Sequence, residues 1–290
     1  MSRNHQEPNV PSTLRVDCDG QMIVTRRWGC GDKHAVILHG FPDDADSMAL
    51  VGEALAAHGY TVWAPFLRGY APSACAHDGR YDVTELTKDI SCLLTHIQAR
   101  ECVLLGHDWG AVLAYAVSAL GHHAVARVIG LSVPPVPCFV RAIYGSRKQR
   151  ILSRYMLTFQ VAGFAEARLR RHNFQGIESL WQQWSPHWQI PTSRIQGVKA
   201  TFAQPGTVES ALSYYRAARP GVSKRRRNNW QLMNARPTHP VICLVGQNDH
   251  CILSESFQSV EYPVHRVPDA GHFLPLEAPQ AIVSVVLNSC

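Results

Sequence analysis

Residues 106–110 have the sequence Gly-His-Asp-Trp-Gly, and no other segment points so directly to chemistry. An apolar run precedes them at 102–105, and a helix-like run follows at 111–120. The pattern predicts a strand, a sharp turn and a helix, with Asp108 presented at the turn. A carboxylate there can displace a leaving group at a saturated carbon and become esterified, after which water must hydrolyse the ester. On its own, the pattern also fits a glycine-flanked turn with a solvated Asp.

Two further polar residues follow predicted strands near the C-terminus. Asp249 comes after the apolar run 241–245, and His272 comes after the short strand pattern at 264–267. In open α/β sheets, active-site groups gather at the carboxyl ends of strands. Asp108, Asp249 and His272 therefore occur in the order nucleophile, acid and base that such a site uses. We predict that Asp249 orients His272 and that His272 is the general base, although a helix-capping Asp is the alternative for Asp249.

The segment 39–42, His-Gly-Phe-Pro, lies directly after the predicted strand 35–38. In sites with this order of nucleophile, acid and base, the loop after such a strand supplies one backbone N–H group that stabilises an oxyanion. We assign that role to the N–H of Phe41 and predict that the N–H of Trp109 supplies the second. The peptide bond before Pro42 can be cis or trans, and the sequence does not decide between them.

Together, these motifs resemble those of α/β-hydrolases in the group of epoxide hydrolases and haloalkane dehalogenases, and epoxide hydrolases in particular. The resemblance runs from about residue 14 to near the C-terminus. It includes 67–73, Leu-Arg-Gly-Tyr-Ala-Pro-Ser, which is similar to the Arg-Gly-Tyr-Gly-x-Ser loop of the family and departs from it at Ala71. The resemblance implies an α/β-hydrolase fold, in which a mostly parallel central sheet is flanked by helices and carries an inserted helical cap.

The order of strand and helix patterns along the chain predicts the same organisation. Strand patterns occur at 13–17, 22–28, 35–39, 61–65, 103–106, 125–133, 241–245 and 264–267, and helix patterns at 48–58, 83–99, 255–258 and 279–287. Their alternation implies a mostly parallel sheet that is covered on both faces. No strand pattern appears between about 138 and 238. We therefore predict a core at 1–137 and 239–290, interrupted by a helical cap at 138–238.

Two predicted cap segments carry tyrosines in patterns that resemble those of epoxide hydrolases. Residues 155–160 match the family pattern Tyr-x-x-x-Phe-Gln, and 211–216 match the pattern in which a Tyr precedes Arg. By this match, Tyr155 and Tyr215 hold the epoxide oxygen. Ring opening puts negative charge on that oxygen, and two phenol groups can stabilise or protonate it. We expect the neighbouring Tyr214 to pack on the other face of its helix.

The resemblance implies an enzyme that hydrolyses an epoxide, an ether-bond hydrolase. Asp108 attacks an epoxide carbon to form a hydroxyalkyl ester, and water activated by His272 releases a vicinal diol. The substrate expected is a small hydrophobic epoxide, bound between Phe41, Trp109, Tyr155 and Tyr215. No metal or organic cofactor is expected. A haloalkane dehalogenase and a non-catalytic ligand-binding homologue remain the alternatives.

Halide release requires N–H donors around the leaving ion. Trp109 can supply one from its indole, whereas Phe41 offers no side-chain donor where dehalogenases have an Asn. Trp181, Trp184 and Trp188 can supply the second, although their spacing also fits residues packed in the cap or lining the pocket.

Composition narrows the class of protein further. The chain has 290 residues, of which 46% are hydrophobic, and this is enough for a large core. Its nine cysteines show no CxxC pairs, so we expect no disulfide framework and a cytoplasmic protein. Residues 1–11 are polar and predict no signal peptide. The formal net charge is +6, and we interpret the basic runs at 147–150, 168–171 and 224–227 as solvated surfaces rather than as sites for nucleic acid or membrane. We expect a monomer or homodimer.

Overall fold

The strands expected from the sequence pattern form one sheet in the computed structural model, which describes residues 11–98 and 100–288. Its strands in this part of the chain are β1 (Ser12–Cys18), β2 (Gln21–Trp28), β3 (Lys33–Leu38), β4 (Tyr60–Pro65), β5 (Cys102–His107), β6 (Val125–Leu131), β7 (Val241–Gly246) and β8 (Val264–Val267). Their order in the sheet is β1-β2-β4-β3-β5-β6-β7-β8. Among these strands the pairs β1–β2 and β2–β4 are antiparallel and the other five pairs are parallel, so the prediction of a mostly parallel sheet is confirmed.

Helices cover both faces of this sheet, which explains why its central strands are apolar along their whole length. All six residues of β5 are buried, and none of its side chains faces solvent. The described helices are α1 (Ala49–Ala57), α2 (Val83–His96), α3 (Trp109–Ala119), α4 (Val136–Gly145), α5 (Arg147–Leu152), α6 (Tyr155–Thr158), α7 (Phe164–Trp184), α8 (Thr192–Ala203), α9 (Thr207–Ala217), α10 (Lys224–Met233), α11 (Leu274–Glu277) and α12 (Pro279–Asn288). The helix predicted at 255–258 is a 3₁₀ turn at Ser254–Phe257.

The register of the parallel strands brings the predicted site residues to one edge. Leu38 at the end of β3 lies opposite Gly106 of β5, and β5 pairs in turn with β6 and β6 with β7. The loops that follow β3, β5 and β7 therefore leave the sheet on the same side. These loops carry Phe41, Asp108 and Asp249, which are more than 60 residues apart along the chain.

The chain between β6 and β7 is helical, as the lack of strand patterns predicts. Helices α4 to α10 occupy Val136–Gly145 through Lys224–Met233, and the described residues between them contain no strand. The backbone of α7 is broken at 171–174, where His172, Asn173 and Phe174 have φ of 50°, 53° and 59°. The sequence pattern did not predict this break. The domain boundaries at 138 and 238 remain a prediction.

One disulfide corrects the expectation drawn from the cysteine spacing. Cys18 at the end of β1 is bonded to Cys92 of α2, 74 residues away in the chain. Spacing rules recognise local motifs such as CxxC, and a pair joined only by packing of a helix on an edge strand leaves no such signal. Within the described residues, no helix is both long and apolar enough to cross a bilayer. The polar N-terminal segment lies, apart from Pro11, outside these residues.

Candidate active site

Asp108 occupies the sharp turn between β5 and α3, with φ of 51° and ψ of −116°. The glycines on either side are required because the backbone segments touch: a Cβ at Gly106 would overlap the carbonyl of Gly110, and a Cβ at Gly110 would overlap that of Leu38. The turn presents the Asp108 side chain above the edge of the sheet, where it is 6% exposed. Positive φ in a non-glycine residue is strained and persists only when the surrounding packing holds it.

Asp249 and His272 meet beside this turn, although the loops that carry them come from β7 and β8. His272 Nδ1 lies 2.9 Å from Asp249 Oδ2, and His272 Nε2 lies 3.7 Å from Asp108 Oδ2. The other oxygen of Asp249 accepts hydrogen bonds from the backbone N–H groups of Cys251 at 2.7 Å and Ile252 at 2.9 Å. This geometry directs the Nδ1 proton of His272 to Asp249 and leaves Nε2 facing Asp108, so the neutral form of the imidazole keeps its proton on Nδ1.

The charges around His272 favour its protonated form. Burial alone disfavours an imidazolium, but the carboxylates of Asp249 and Asp108 outweigh it and raise the pKa of His272 to about 10. The pKa of a cationic group held between two carboxylates falls strongly when either carboxylate loses its charge. The pKa of His272 is therefore tied to the chemical state of Asp108.

The backbone of His272 is held by side chains that the sequence analysis did not assign to the site. Its N–H donates to Ser185 Oγ at 2.8 Å, and Ser185 Oγ donates to Glu277 Oε1 at 2.6 Å. Its carbonyl accepts from Ser132 Oγ at 2.6 Å and from His107 Nε2 at 2.8 Å. Burial lowers the pKa of His107 to about 3, so this imidazole is neutral. Ser185 ends the long helix α7, and therefore the helical insertion contacts the predicted base directly.

The loop after β3 places a backbone donor on the predicted nucleophile. The N–H of Phe41 donates to Asp108 Oδ1 at 2.8 Å, and the Phe41–Pro42 peptide bond is cis. Trp109 is the first residue of α3, so its N–H points out of the helix and is not used by the helical ladder. One of the two N–H groups predicted to form an oxyanion site thus contacts the carboxylate of Asp108, and the other, that of Trp109, stays a prediction.

Both predicted ring-opening tyrosines line a cavity of about 510 Å³ that also contains Asp108 and Trp109. The rings of Tyr155 and Tyr215 lie 6.1 Å apart, centre to centre. The Tyr155 hydroxyl is 3.6 Å from Cys251 Sγ, and the buried Tyr215 hydroxyl interacts with the side chains of Trp109 and Tyr155. Burial raises the pKa of both phenols well above the usual value, and the charge of Asp108 adds to this, so both are protonated donors.

Apart from Gln160 and Arg219, the rest of this cavity is apolar. Its wall is formed mainly by aliphatic and aromatic side chains: Val112, Val133, Val136, Phe139, Val140, Ile143, Met156, Leu157, Trp230, Met233 and Ile252. Most of them come from the helices between β6 and β7. A cavity of this size and lining suits a small apolar molecule with one reactive polar group.

The neighbouring Tyr214 points elsewhere, as its predicted packing role requires. Its hydroxyl donates to the carbonyl of Arg68 at 2.7 Å, and its ring packs edge-on against Tyr70 and Trp109. Consecutive residues of a helix point about 100° apart, so only one of two adjacent tyrosines can face the cavity. In α9 that residue is Tyr215.

The tryptophans considered as halide donors are used in packing. The Trp181 indole N–H donates to the carbonyl of Pro42 at 2.8 Å, and its ring stacks on Phe273. Trp184 packs against His272 and Tyr155, with ring centres 5.1 Å apart in each case. None of Trp181, Trp184 and Trp188 lines the cavity that contains Asp108.

The sheet order, the flanking helices and the placement of Asp108, Asp249 and His272 at the carboxyl edge define the class of protein as an α/β-hydrolase fold. A model of the Alpha/beta hydrolase family matches residues 35–285, and the chain belongs to that family.

Similar proteins are named epoxide hydrolases. Epoxide hydrolase 3 of Mus musculus is 25% identical over 254 residues, which cover 84% of this chain and 67% of the relative. Epoxide hydrolase A of Mycobacterium tuberculosis is 36% identical over 164 residues, which cover 55% of this chain and 51% of the relative, or about half its length. The crystal structure of Epoxide Hydrolase A from Mycobacterium thermoresistibile is 26% identical, with a TM-score of 0.76 and coverage of 96% of this chain and 98% of that one.

Proposed function

We propose that this protein is an epoxide hydrolase, which adds water to a small hydrophobic epoxide and releases a vicinal diol. The observation that carries the proposal is that two buried, protonated phenols, Tyr155 and Tyr215, line the same cavity as the Asp108 carboxylate. Two phenol donors beside a carboxylate can hold the oxygen of a ligand while the carboxylate attacks the carbon bonded to it. The names of the similar proteins support the same activity.

In the first step, Asp108 Oδ2 attacks one epoxide carbon and the bond from that carbon to the ring oxygen breaks. Oδ2 is the attacking atom because Oδ1 is already held by the N–H of Phe41. Tyr155 and Tyr215 donate hydrogen bonds to the ring oxygen, and one of them transfers its proton as the negative charge develops. The product of this step is a hydroxyalkyl ester of Asp108.

In the second step, His272 removes a proton from water, and the oxygen attacks the Asp108 carbonyl carbon. The ester has no charge, so one of the two carboxylates that raise the pKa of His272 is lost. The pKa of His272 falls, and the neutral imidazole needed for the base becomes favoured. The hydrolysis step therefore slows as the pH drops through the pKa that His272 has in the ester form.

The tetrahedral intermediate places its charge on Oδ1, where the N–H groups of Phe41 and Trp109 stabilise it. Each such donor contributes about 3 kcal/mol in comparable sites. Collapse breaks the bond from Cγ to Oδ2, and the departing alkoxide takes the proton from His272. The carboxyl group of Asp108 then returns a proton to the tyrosinate, which leaves the enzyme unchanged and the diol free.

We further propose that residues 138–238 form a cap over this site. Its tyrosines, most of the apolar wall of the cavity and Ser185, which accepts the N–H of His272, come from this part of the chain. The oxygen of an opened epoxide stays on the substrate and carries negative charge. It therefore needs hydrogen-bond donors, and the hydroxyl groups of the two cap tyrosines supply them. A haloalkane substrate would need N–H donors for the leaving halide, and the Trp181 indole is bonded to Pro42 instead. Measuring halide release from a chloroalkane in parallel with diol formation separates the two activities.

Tyr155→Phe and Tyr215→Phe should each slow ring opening about 10²-fold, because each variant lacks one donor to the developing oxyanion. The double variant should nearly abolish turnover. Pre-steady-state formation of the ester on styrene oxide measures this step directly. Tyr214→Phe is the matched control, since its hydroxyl bonds to the carbonyl of Arg68. It should lower stability and leave ring opening close to wild type, and a loss of ring opening in this variant alone would refute the assignment.

A single turnover in ¹⁸O-water should place the label in Asp108 and leave the first diol unlabelled. In the ester route, the oxygen that joins the diol is Oδ2, and the water oxygen remains on the enzyme. Mass spectrometry of the peptide containing Asp108 and of the diol measures both pools. Label that enters the diol directly in the first turnover would mean that water attacks the epoxide without an ester.

A further inference from the structure

A second cavity, of about 780 Å³, lies on the other side of Tyr155 from the cavity that contains Asp108. Tyr155 lines both cavities, and Trp184, which lines the second, packs against the ring of His272. The side chain of Tyr155 therefore separates the second cavity from the cavity of Asp108, and the side chain of Trp184 separates it from His272. It is not used by the mechanism proposed above.

The charged residues that line this second cavity are all arginines: Arg154, Arg168 and Arg171. His172 and His250 also line it, and no Asp or Glu is among its lining residues. The break at 171–174 in α7 turns the chain so that residues before and after it face the same space. Positive φ at three consecutive non-glycine residues is costly, and such strain is concentrated at ligand sites.

The three arginines are not neutralised within the described residues. None of Arg154, Arg168 and Arg171 forms an ion pair there. The acidic side chains of α7 and of the adjacent α9 are paired with other cations: Glu166 with Arg216, Glu178 with Lys199, and Glu209 with Arg170. A concave surface with several free guanidinium groups and no carboxylate attracts an anion, and guanidinium groups match the geometry of carboxylate and phosphate oxygens.

We propose that this cavity binds an oxyanion, a carboxylate or phosphate group. The anion belongs either to the far end of the epoxide substrate or to a separate small ligand. In the first case, the epoxide lies at Asp108 in the apolar cavity, the substrate chain passes the side chain of Tyr155, and the anionic end lies among Arg154, Arg168 and Arg171. This case rests on the proposed function and specifies its substrate. Binding of an anion to the cavity does not depend on the proposed function.

The first arm of the test uses an epoxyalkanoate, with epoxide and carboxylate at opposite ends, and its methyl ester. If the anion is part of the substrate, kcat/KM for the acid should exceed that for the ester by about tenfold at low salt, because exposed charge pairs are individually modest. The ratio should fall toward one as salt is added. It should also fall toward one in Arg168→Gln/Arg171→Gln.

The control variant is Arg147→Gln/Lys148→Gln, which removes the same charge from the neighbouring helix α5 at residues that do not line the cavity. It should keep the preference for the acid. If it loses the preference to the same extent, the effect comes from the net charge of the protein, and the cavity is not the site.

The second arm titrates the protein with inorganic phosphate by calorimetry. If the ligand is a separate anion, wild type and the control variant should bind phosphate, Arg168→Gln/Arg171→Gln should bind it at least about tenfold more weakly, and acid and ester should react alike. Failure of every epoxide to yield diol would reject the proposed function, while the calorimetry would still test the cavity. No preference for the acid together with no phosphate binding would overturn the inference.

Discussion

Asp108→Ala should abolish diol formation, with a loss in kcat of at least about 10⁴-fold, because it removes the only group that forms the covalent intermediate. The side chain is buried, and its Oδ1 accepts the N–H of Phe41, so Asp108→Asn is the closest variant in shape. An amide keeps that hydrogen bond but does not attack an epoxide, and its activity should be lost to the same extent. Diol formation from styrene oxide, followed by gas chromatography, measures both variants.

The comparison of Asp108→Ala with Asp108→Asn separates chemistry from folding. Both proteins should show cooperative thermal unfolding and the circular dichroism of wild type, since Gly106 and Gly110 keep the turn. Removing a negative charge beside His272 should also lower the pKa of that imidazole, because Asp108 is one of the two carboxylates that raise it. Residual turnover within about tenfold of wild type in the Ala variant would show that Asp108 is not the nucleophile.

His272→Gln should stop the reaction at the ester and make the intermediate visible. Ring opening requires Asp108 and the two tyrosines, whereas hydrolysis of the ester requires a base, so only the second step is lost. The protein should release no diol in steady state and gain the mass of one epoxide per chain. Intact-protein mass spectrometry after mixing with excess substrate measures the adduct, and digestion should locate it on Asp108.

His107→Gln is the matched control because it replaces a second buried imidazole, whose ring centre lies 5.0 Å from that of His272. A glutamine amide can still donate to the carbonyl of His272, as His107 Nε2 does. This variant should turn over without accumulating the adduct. If His107→Gln accumulates the ester and His272→Gln does not, the base has been assigned to the wrong residue.

The sheet was predictable from the sequence because its signals are local. The apolar runs of β3, β5 and β7, and the turns after them, are set by neighbouring residues, so their bounds agree with the structure to within a few positions. The order of Asp108, Asp249 and His272 could be predicted for a related reason. Parallel strands share one carboxyl edge, so a residue that follows such a strand is placed by the fold whatever its distance along the chain.

Other features depend on which distant surfaces pack together, and only the tertiary structure decided them. The disulfide joins Cys18 to Cys92 because α2 lies on the edge strand β1, and the hydrogen bond from His272 to Ser185 spans 87 residues. The break in α7 at 171–174, which lies beside the second cavity, was not predicted from the sequence. By itself, the sequence determined the sheet and the order of the candidate triad, because both follow from local pattern. The partners of His272, the environments of the two tyrosines and the basic cavity required the folded chain, because contacts between distant segments leave no mark on local periodicity.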